Sequence, residues 1–124
     1  MILLFAILVI TYCFVGTACS MGPIMVSPHT LQWDRETDVQ VSGYYAYWRT
    51  TGTTIWSNEQ RSSVVTQPAT GLTVSYELLT LALANGGYEI CVTARDTIGN
   101  ESGPSNVVPY TVYIPNPPAG LIKK

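Results

Sequence analysis

The stretch from Gly87 to Asn100, GYEICVTARDTIGN, alternates apolar and polar side chains and then ends in a glycine–asparagine pair. Successive side chains of a β-strand point to opposite faces, so alternate residues of this stretch are predicted to lie together. The residues predicted to share the inward face are Tyr88, Ile90, Val92 and Ala94. Gly-Asn is typical of a turn. We therefore predict a strand with one buried face that runs directly into a loop.

Similar short stretches recur along the chain, separated by turn signals such as Thr50–Thr54 and Asn85–Gly87. The predicted strands are Ile24–Val26 (an edge strand between prolines), Leu31–Trp33, Val41–Arg49, a short strand beginning at Ile55-Trp56, Val64-Val65, Tyr76–Leu78, Tyr88–Arg95 and Val107–Ile114. A helical period is missing from all of them. The segment YELLTLALA is predicted as a strand followed by a turn, because Gly86-Gly87 cuts it short. Short strands at this spacing predict an all-β sandwich or barrel.

Composition narrows the class of function. The 124 residues carry a net charge of −2 with only 11% charged side chains, and the basic residues are scattered. A nucleic-acid partner needs clustered Lys and Arg, so we exclude one. The lone His29 and the absence of a CxxC pair leave too few ligands for a zinc site, and we predict no metal and no cofactor. Cys91 is interpreted as an unpaired strand residue.

The leader MILLFAILVITYCFVGTACS is almost wholly apolar from Ile2 to Ala18. Small residues precede Cys19, as a signal peptidase requires, and the run resembles a bacterial lipobox, which implies acylation of Cys19. A retained membrane helix and an ordinary secretion signal are the alternatives. Each places the remainder outside the cytoplasm. We predict a signal or anchor over 1–19, forming a short apolar helix, a linker over 20–23 and a Pro-rich tail over 115–124.

Several motifs in order resemble a fibronectin type III domain over about residues 23–114. They are Trp33 in an early strand, GYYAYW, a downstream Trp56, the alternating segment from Tyr88, and DTIGNESGPSN. The resemblance implies an immunoglobulin-like sandwich of about seven strands over 20–114, with Trp33 central in the core. It also implies that the hydroxyl of Tyr88 bonds back to the preceding loop. The family's apolar residue six positions before this tyrosine is replaced by Ala82, with Leu83 one position later, which implies an altered corner.

On the two long strands, the side chains that alternate with the inward ones are predicted to form a binding surface. If Tyr44, Ala46 and Trp48 point inward, the residues between them face outward. The candidate binding surface on this open sheet face comprises Tyr45, Tyr47, Arg49, Trp56 and Arg95. Tyrosine is favoured at interfaces because it offers apolar area with a polar tip. The alternative is that these side chains form cross-strand pairs that stabilise the sheet.

A second candidate surface is the loop from Thr97 to Asn106 together with the charged turn from Asp34 to Asp38, since loops at one end of a sandwich commonly carry recognition. The alternative is that both are plain connectors. Asn100 also begins an N-x-S sequon, which is relevant only in a eukaryotic secretory pathway. For catalysis, His29 and Asp34 could be combined with a serine on paper, but no nucleophile motif supports a triad.

Together these features predict a non-enzymatic module on the outer side of a membrane, anchored or secreted, which contacts other proteins. A carbohydrate-binding module, in which Tyr45, Tyr47 or Trp56 stacks on sugar, is one alternative. An enzyme of unknown type is the other.

Overall fold

A computed structural model describes residues 22–116 and residue 118. In that part of the chain seven strands form two antiparallel sheets. The strands are β1 (Ile24–Ser27), β2 (Thr30–Asp34), β3 (Val41–Thr50), β4 (Val65–Thr66), β5 (Thr73–Glu77), β6 (Gly86–Asp96) and β7 (Val108–Val112). The predicted all-β class is confirmed. The predicted leader helix, the lipidation site Cys19 and most of the tail lie outside the described residues.

The two sheets differ in size. One has the order β1-β2-β5 and the other the order β4-β3-β6-β7. The longest pairing joins β3 to β6, with Tyr44 opposite Ala94 and Trp48 opposite Ile90. Directly opposed residues of an antiparallel pair point to the same face. The register therefore places the inward side chains of both strands together.

One hydrophobic core lies between the sheets, giving a β-sandwich-like arrangement. Its buried members are Leu31, Trp33, Tyr44, Val74, Leu78, Ile90, Val92, Val108, Tyr110 and Val112, and Trp48, Tyr88 and Ala94 pack against it while partly buried. The prediction of which side chains of β3 and β6 point inward is confirmed. Trp33 is buried as predicted, and its ring meets that of Tyr44 edge to face with centroids 5.3 Å apart. Burying such large side chains contributes roughly 1.5–3 kcal/mol each.

Tyr88 makes the hydrogen bond that its position implied. Its hydroxyl donates to the carbonyl oxygen of Ala84 at 2.6 Å. The altered spacing before it is accommodated by Ala82, which adopts a left-handed conformation with φ of 53° at the end of a 3-10 turn. Leu83 then packs against the core from the shifted position.

One local prediction is wrong. Ile55-Trp56 does not begin a strand, because the chain from Thr53 to Ser57 has no regular structure and only Arg61 forms an isolated bridge to β3. The segment YELLTLALA is a strand to Glu77 and then a turn, as predicted. The turn, Leu78–Leu81, is of the 3-10 type, which suits the good helix propensity of its leucines.

Candidate functional site

The predicted surface residues do come together on the outer face of the four-stranded sheet. In the β3–β6 pairing, Tyr45 lies opposite Thr93, Tyr47 opposite Cys91 and Arg49 opposite Glu89. Arg95 reaches the same face, with its guanidinium carbon 5.9 Å from the Tyr45 ring centroid. Trp56 meets the ring of Tyr47 edge to face at 6.5 Å. We call this group, with Arg61 and Glu101, the outer-face cluster.

This face is covered, and the prediction of two exposed tyrosines is wrong. Tyr47 is 5% exposed, and Tyr45 is half-buried. The segment before β4 continues alongside β3, where the Trp48 amide donates to Gln60 O at 3.0 Å and Arg61 bridges to Tyr47. Opposed residues share a face, so Arg61 is directed onto the tyrosines. The connection between β3 and β4 thus covers the outer face of β3.

Two arginines stack on the aromatic rings of the outer-face cluster. The guanidinium carbon of Arg49 lies 4.0 Å from the Trp56 ring centroid, and that of Arg61 lies 3.8 Å from the Tyr45 ring centroid. Arg49 Nε also donates to Glu89 at 2.8 Å. Sugar binding by aromatic residues needs an open ring face. These contacts occupy a face on each ring and give the stacking hypothesis little support.

A polar network closes the cluster on the side of the β6–β7 loop. The Tyr47 hydroxyl and the Thr93 hydroxyl both donate to Glu101 Oε2, the latter at 2.7 Å. Arg61 Nη1 donates to the Tyr47 hydroxyl at 3.0 Å. Burial and the hydrogen bond to Glu101 raise the pKa of Tyr47. Sequence reasoning missed Arg61 and Glu101, because neither stands in a strand pattern.

Cys91 lies beneath this network and is fully buried. Burial raises its pKa to about 12, so the thiolate is scarce at neutral pH. A cavity of about 170 Å³ adjoins it, lined among others by Tyr47, Trp56, Asn58 and Glu101. The polar groups around this cavity already satisfy one another, so the arrangement favours a closed structural face over a reactive thiol.

The second predicted surface is more open. Three loops converge at one end of the sandwich, since β2 ends at Asp34 opposite the start of β5 at Thr73, and Val41 at the start of β3 pairs with Asp96 at the end of β6. The loops are β2–β3 (35–40), β4–β5 (67–72) and β6–β7 (97–107). Each carries one large apolar side chain that is almost wholly exposed, and these are Val39 (96% exposed), Leu72 (87%) and Ile98 (82%). We call this surface the loop end.

Hydrogen bonds hold the β2–β3 and β4–β5 loops to each other. The Arg35 amide donates to Leu72 O at 2.9 Å, and its Nε donates to Pro68 O at 2.8 Å. The Tyr44 hydroxyl accepts from the Glu36 amide at 2.9 Å and donates to Gln67 Oε1 at 2.6 Å. Desolvation by burial raises the pKa of Tyr44. The apolar tips are therefore carried on ordered loops.

Aspartates set the two turns that present Val39 and Ile98. Asp38 Oδ1 accepts from the Gln40 amide at 2.9 Å, across Val39. Asp96 Oδ1 accepts from the Ile98 and Asn100 amides at 3.0 and 2.8 Å. Such side-chain turns are a common use of aspartate. Sequence reasoning singled out both loops but missed Leu72, whose isolated position gave no periodic signal.

The combination of His29 and Asp34 in a triad is contradicted. His29 immediately precedes β2 and Asp34 ends it, so five residues of largely extended chain, at about 3.3 Å each, separate the two by roughly 16 Å. His29 Nδ1 instead lies 2.9 Å from the Tyr110 hydroxyl. In the part of the chain that the structure describes, no group of three metal-ligating side chains converges. Residues 22–116 include no helix with the length and hydropathy of a membrane span.

Comparison with known proteins finds likenesses among solved structures. No family model and no curated protein matches the chain. Among solved structures it is similar to part of the Clostridium perfringens spore cortex lytic enzyme SleM, with a TM-score of 0.46 and 12% identity. The match covers 75% of this chain and 27% of that one, so this chain spans about a quarter of that protein's length. A likeness at this level says nothing about activity.

Proposed function

We propose that this chain is a non-enzymatic binding module on the outer side of a membrane, and that its loop end contacts another protein. The outer location follows from the apolar leader and the Cys19 context expected from the sequence. The outer-face cluster is assigned the structural role, because its aromatic faces and polar groups are occupied by one another.

We propose further that the sandwich is of the fibronectin type III class. The arrangement of a three-stranded sheet β1-β2-β5 facing a four-stranded sheet β4-β3-β6-β7 supports this assignment. The Tyr88 hydrogen bond to Ala84 and the buried Trp33 support it as well, since the resemblance implied both.

The observation that carries the proposed function is the exposure of Val39, Leu72 and Ile98. These are the three most exposed large apolar side chains in the described part of the chain, and each stands on a different loop of the same end. Isolated exposed apolar residues are common, but a convergent group marks an interaction site. Burying each in a partner would contribute roughly 1.5–3 kcal/mol.

Site-specific photocrosslinking in the native cells tests this function. Benzoylphenylalanine placed at position 39, 72 or 98 is expected to capture the same discrete protein from all three positions. Positions 55 and 79 are matched controls, because Ile55 and Leu79 are also exposed but lie on segments at the opposite end. Equal capture from both ends, or capture only from the control positions, would contradict the assignment of the loop end.

A further inference from the structure

The loop end is acidic around its apolar centre. Asp96 ends β6 there, and Glu36 and Asp38 stand on the β2–β3 loop. The described cations at this end are Arg35 and Arg95, so these three carboxylates outnumber the guanidiniums. The ion pairs Arg49–Glu89 and Arg61–Glu101 lie on the outer sheet face, away from this rim. The loop end therefore carries an excess of negative charge.

The side chains of both arginines have partners within the fold. Arg35 Nε and Nη2 donate to Pro68 O and Ala69 O of the β4–β5 loop at 2.8 and 3.4 Å. Arg95 lies over the ring of Tyr45 on the outer sheet face. In contrast, Asp38 is exposed directly beside Val39. The charge that a docking surface would meet next to the apolar tips is consequently negative.

The rim is also preorganised. The Asp38 and Asp96 carboxylates accept backbone hydrogen bonds in the turns that present Val39 and Ile98. Gly99, with φ of 99°, and Gly71, with φ of 102°, adopt left-handed conformations beside Ile98 and Leu72 that favour glycine. A partner binding here would need to order little of the chain, which reduces the entropic penalty of association.

Resting on the proposed function, we infer that the partner of the loop end is a protein surface with an apolar depression rimmed by Lys or Arg side chains. Complementary charge steers association and discriminates against wrong partners. An anionic lipid surface would repel the same carboxylates, because membrane attraction depends on basic residues near the headgroups. The apolar tips alone would suit either partner, and the acidic rim favours the protein.

A random-peptide display library, panned against the full-length chain in nanodiscs, tests the inference with a defined probe. The comparison variant, called the polar-loop variant, is Val39→Thr/Leu72→Gln/Ile98→Thr. Its substitutions lie in solvent and should leave the urea unfolding midpoint unchanged. Peptides enriched on the wild-type chain are expected to combine apolar residues with Lys or Arg, and to lose binding to this variant.

Charge is tested separately with Glu36→Gln/Asp38→Asn, in which the asparagine keeps an oxygen to accept the Gln40 amide. Its association rate with the enriched peptides should fall about three- to tenfold at low salt, with dissociation changed less than about twofold. Glu59→Gln/Glu77→Gln removes two exposed carboxylates elsewhere and serves as the matched control. Its association rate should stay at the wild-type value.

Three outcomes would overturn the inference, and they are distinguishable. If the enriched peptides need the apolar tips but are neutral or acidic, the inference of a basic partner is contradicted and the proposed function still stands. If the peptides bind the polar-loop variant as well as the wild type, both the inference and the proposed function are contradicted. Flotation of the nanodisc-held chain with vesicles of phosphatidylcholine and phosphatidylglycerol, abolished in the polar-loop variant, would identify a membrane surface as the partner.

Discussion

The guanidinium of Arg49 stacks on the ring of Trp56, with its carbon 4.0 Å from the ring centroid, while its Nε binds Glu89 at 2.8 Å. This pair ties the irregular connection after β3 to the sheet that it covers. A cation over an indole contributes about 0.5–1 kcal/mol at exposed sites and about 2 where it is desolvated. The pair therefore helps to keep the outer sheet face closed, with Tyr47 and Cys91 beneath it.

Removing that cover should expose the thiol. In Trp56→Ala we expect native-state alkylation of Cys91 by iodoacetamide to accelerate about tenfold or more, because access and a larger thiolate fraction both favour reaction. Mass spectrometry of the Cys91 peptide measures the rate apart from the leader cysteines. Ile55→Ala, one residue earlier and 73% exposed, is the control and should react like the wild type. Identical rates in both variants would show that Trp56 does not shield the thiol.

Loss of the Tyr88 hydroxyl should weaken the fold measurably. Tyr88→Phe removes the hydrogen bond to Ala84 O, and we expect a decrease of about 0.5–1.5 kcal/mol in the free energy of unfolding. Urea denaturation of the full chain in nanodiscs, followed by tryptophan fluorescence, measures it. Tyr113→Phe changes an exposed tyrosine in the same way and should have little effect. Equal effects would mean that the Tyr88 bond adds nothing to stability.

Asp96 should make stability depend on acid pH. Burial acts to raise the pKa of this carboxyl, but hydrogen bonds from the Asn100 side chain and from the Asn100, Ile98 and Gly99 amides outweigh it and lower the pKa below the ordinary 3.8. A depressed folded-state pKa contributes stability above the unfolded value, and the contribution is lost as pH falls through the folded value. Asp96→Asn should therefore lower the urea midpoint at pH 7.

The difference between wild type and Asp96→Asn should narrow as pH falls below about 4, where the wild-type carboxyl becomes protonated. Glu59→Gln is the control, because Glu59 is exposed and it is its backbone amide that donates to Ser57 Oγ. A gap between Asp96→Asn and wild type that is constant from pH 7 to pH 2 would refute the titration.

The leader makes a prediction about the mature terminus. We expect membrane-extracted protein to begin at a diacylglyceryl-modified Cys19, and Cys19→Ser to leave the leader uncut. Intact-mass measurement of both proteins checks this. An intact Met1 in the wild type would indicate a retained helix. An unmodified start elsewhere would indicate an ordinary secretion signal.

Much of the sandwich could be predicted because local alternation carries the information. Tyr44 and Trp48 face inward with Ile90 and Val92, as period-two patterning requires, since a one-residue shift would move every apolar side chain to the other face. The same logic failed at Ile55-Trp56, where two apolar residues have no alternating neighbours. It also could not foresee the 3-10 turn after Glu77, because a single helical turn has too few residues to show a period.

Local sequence pattern indicated which side chains of the long strands point inward and which segments form turns, because both depend on residues near one another along the chain. The burial of Trp33 and the hydrogen bond made by Tyr88 were implied by the resemblance to fibronectin type III domains. Tertiary structure alone decided that the face with Tyr45 and Tyr47 is covered and that the end with Val39, Leu72 and Ile98 is open. Alternation states which side of a strand a residue occupies. Whether that side meets solvent depends on residues such as Arg61 and Glu101, which lie outside the strands and are brought onto this face by the fold.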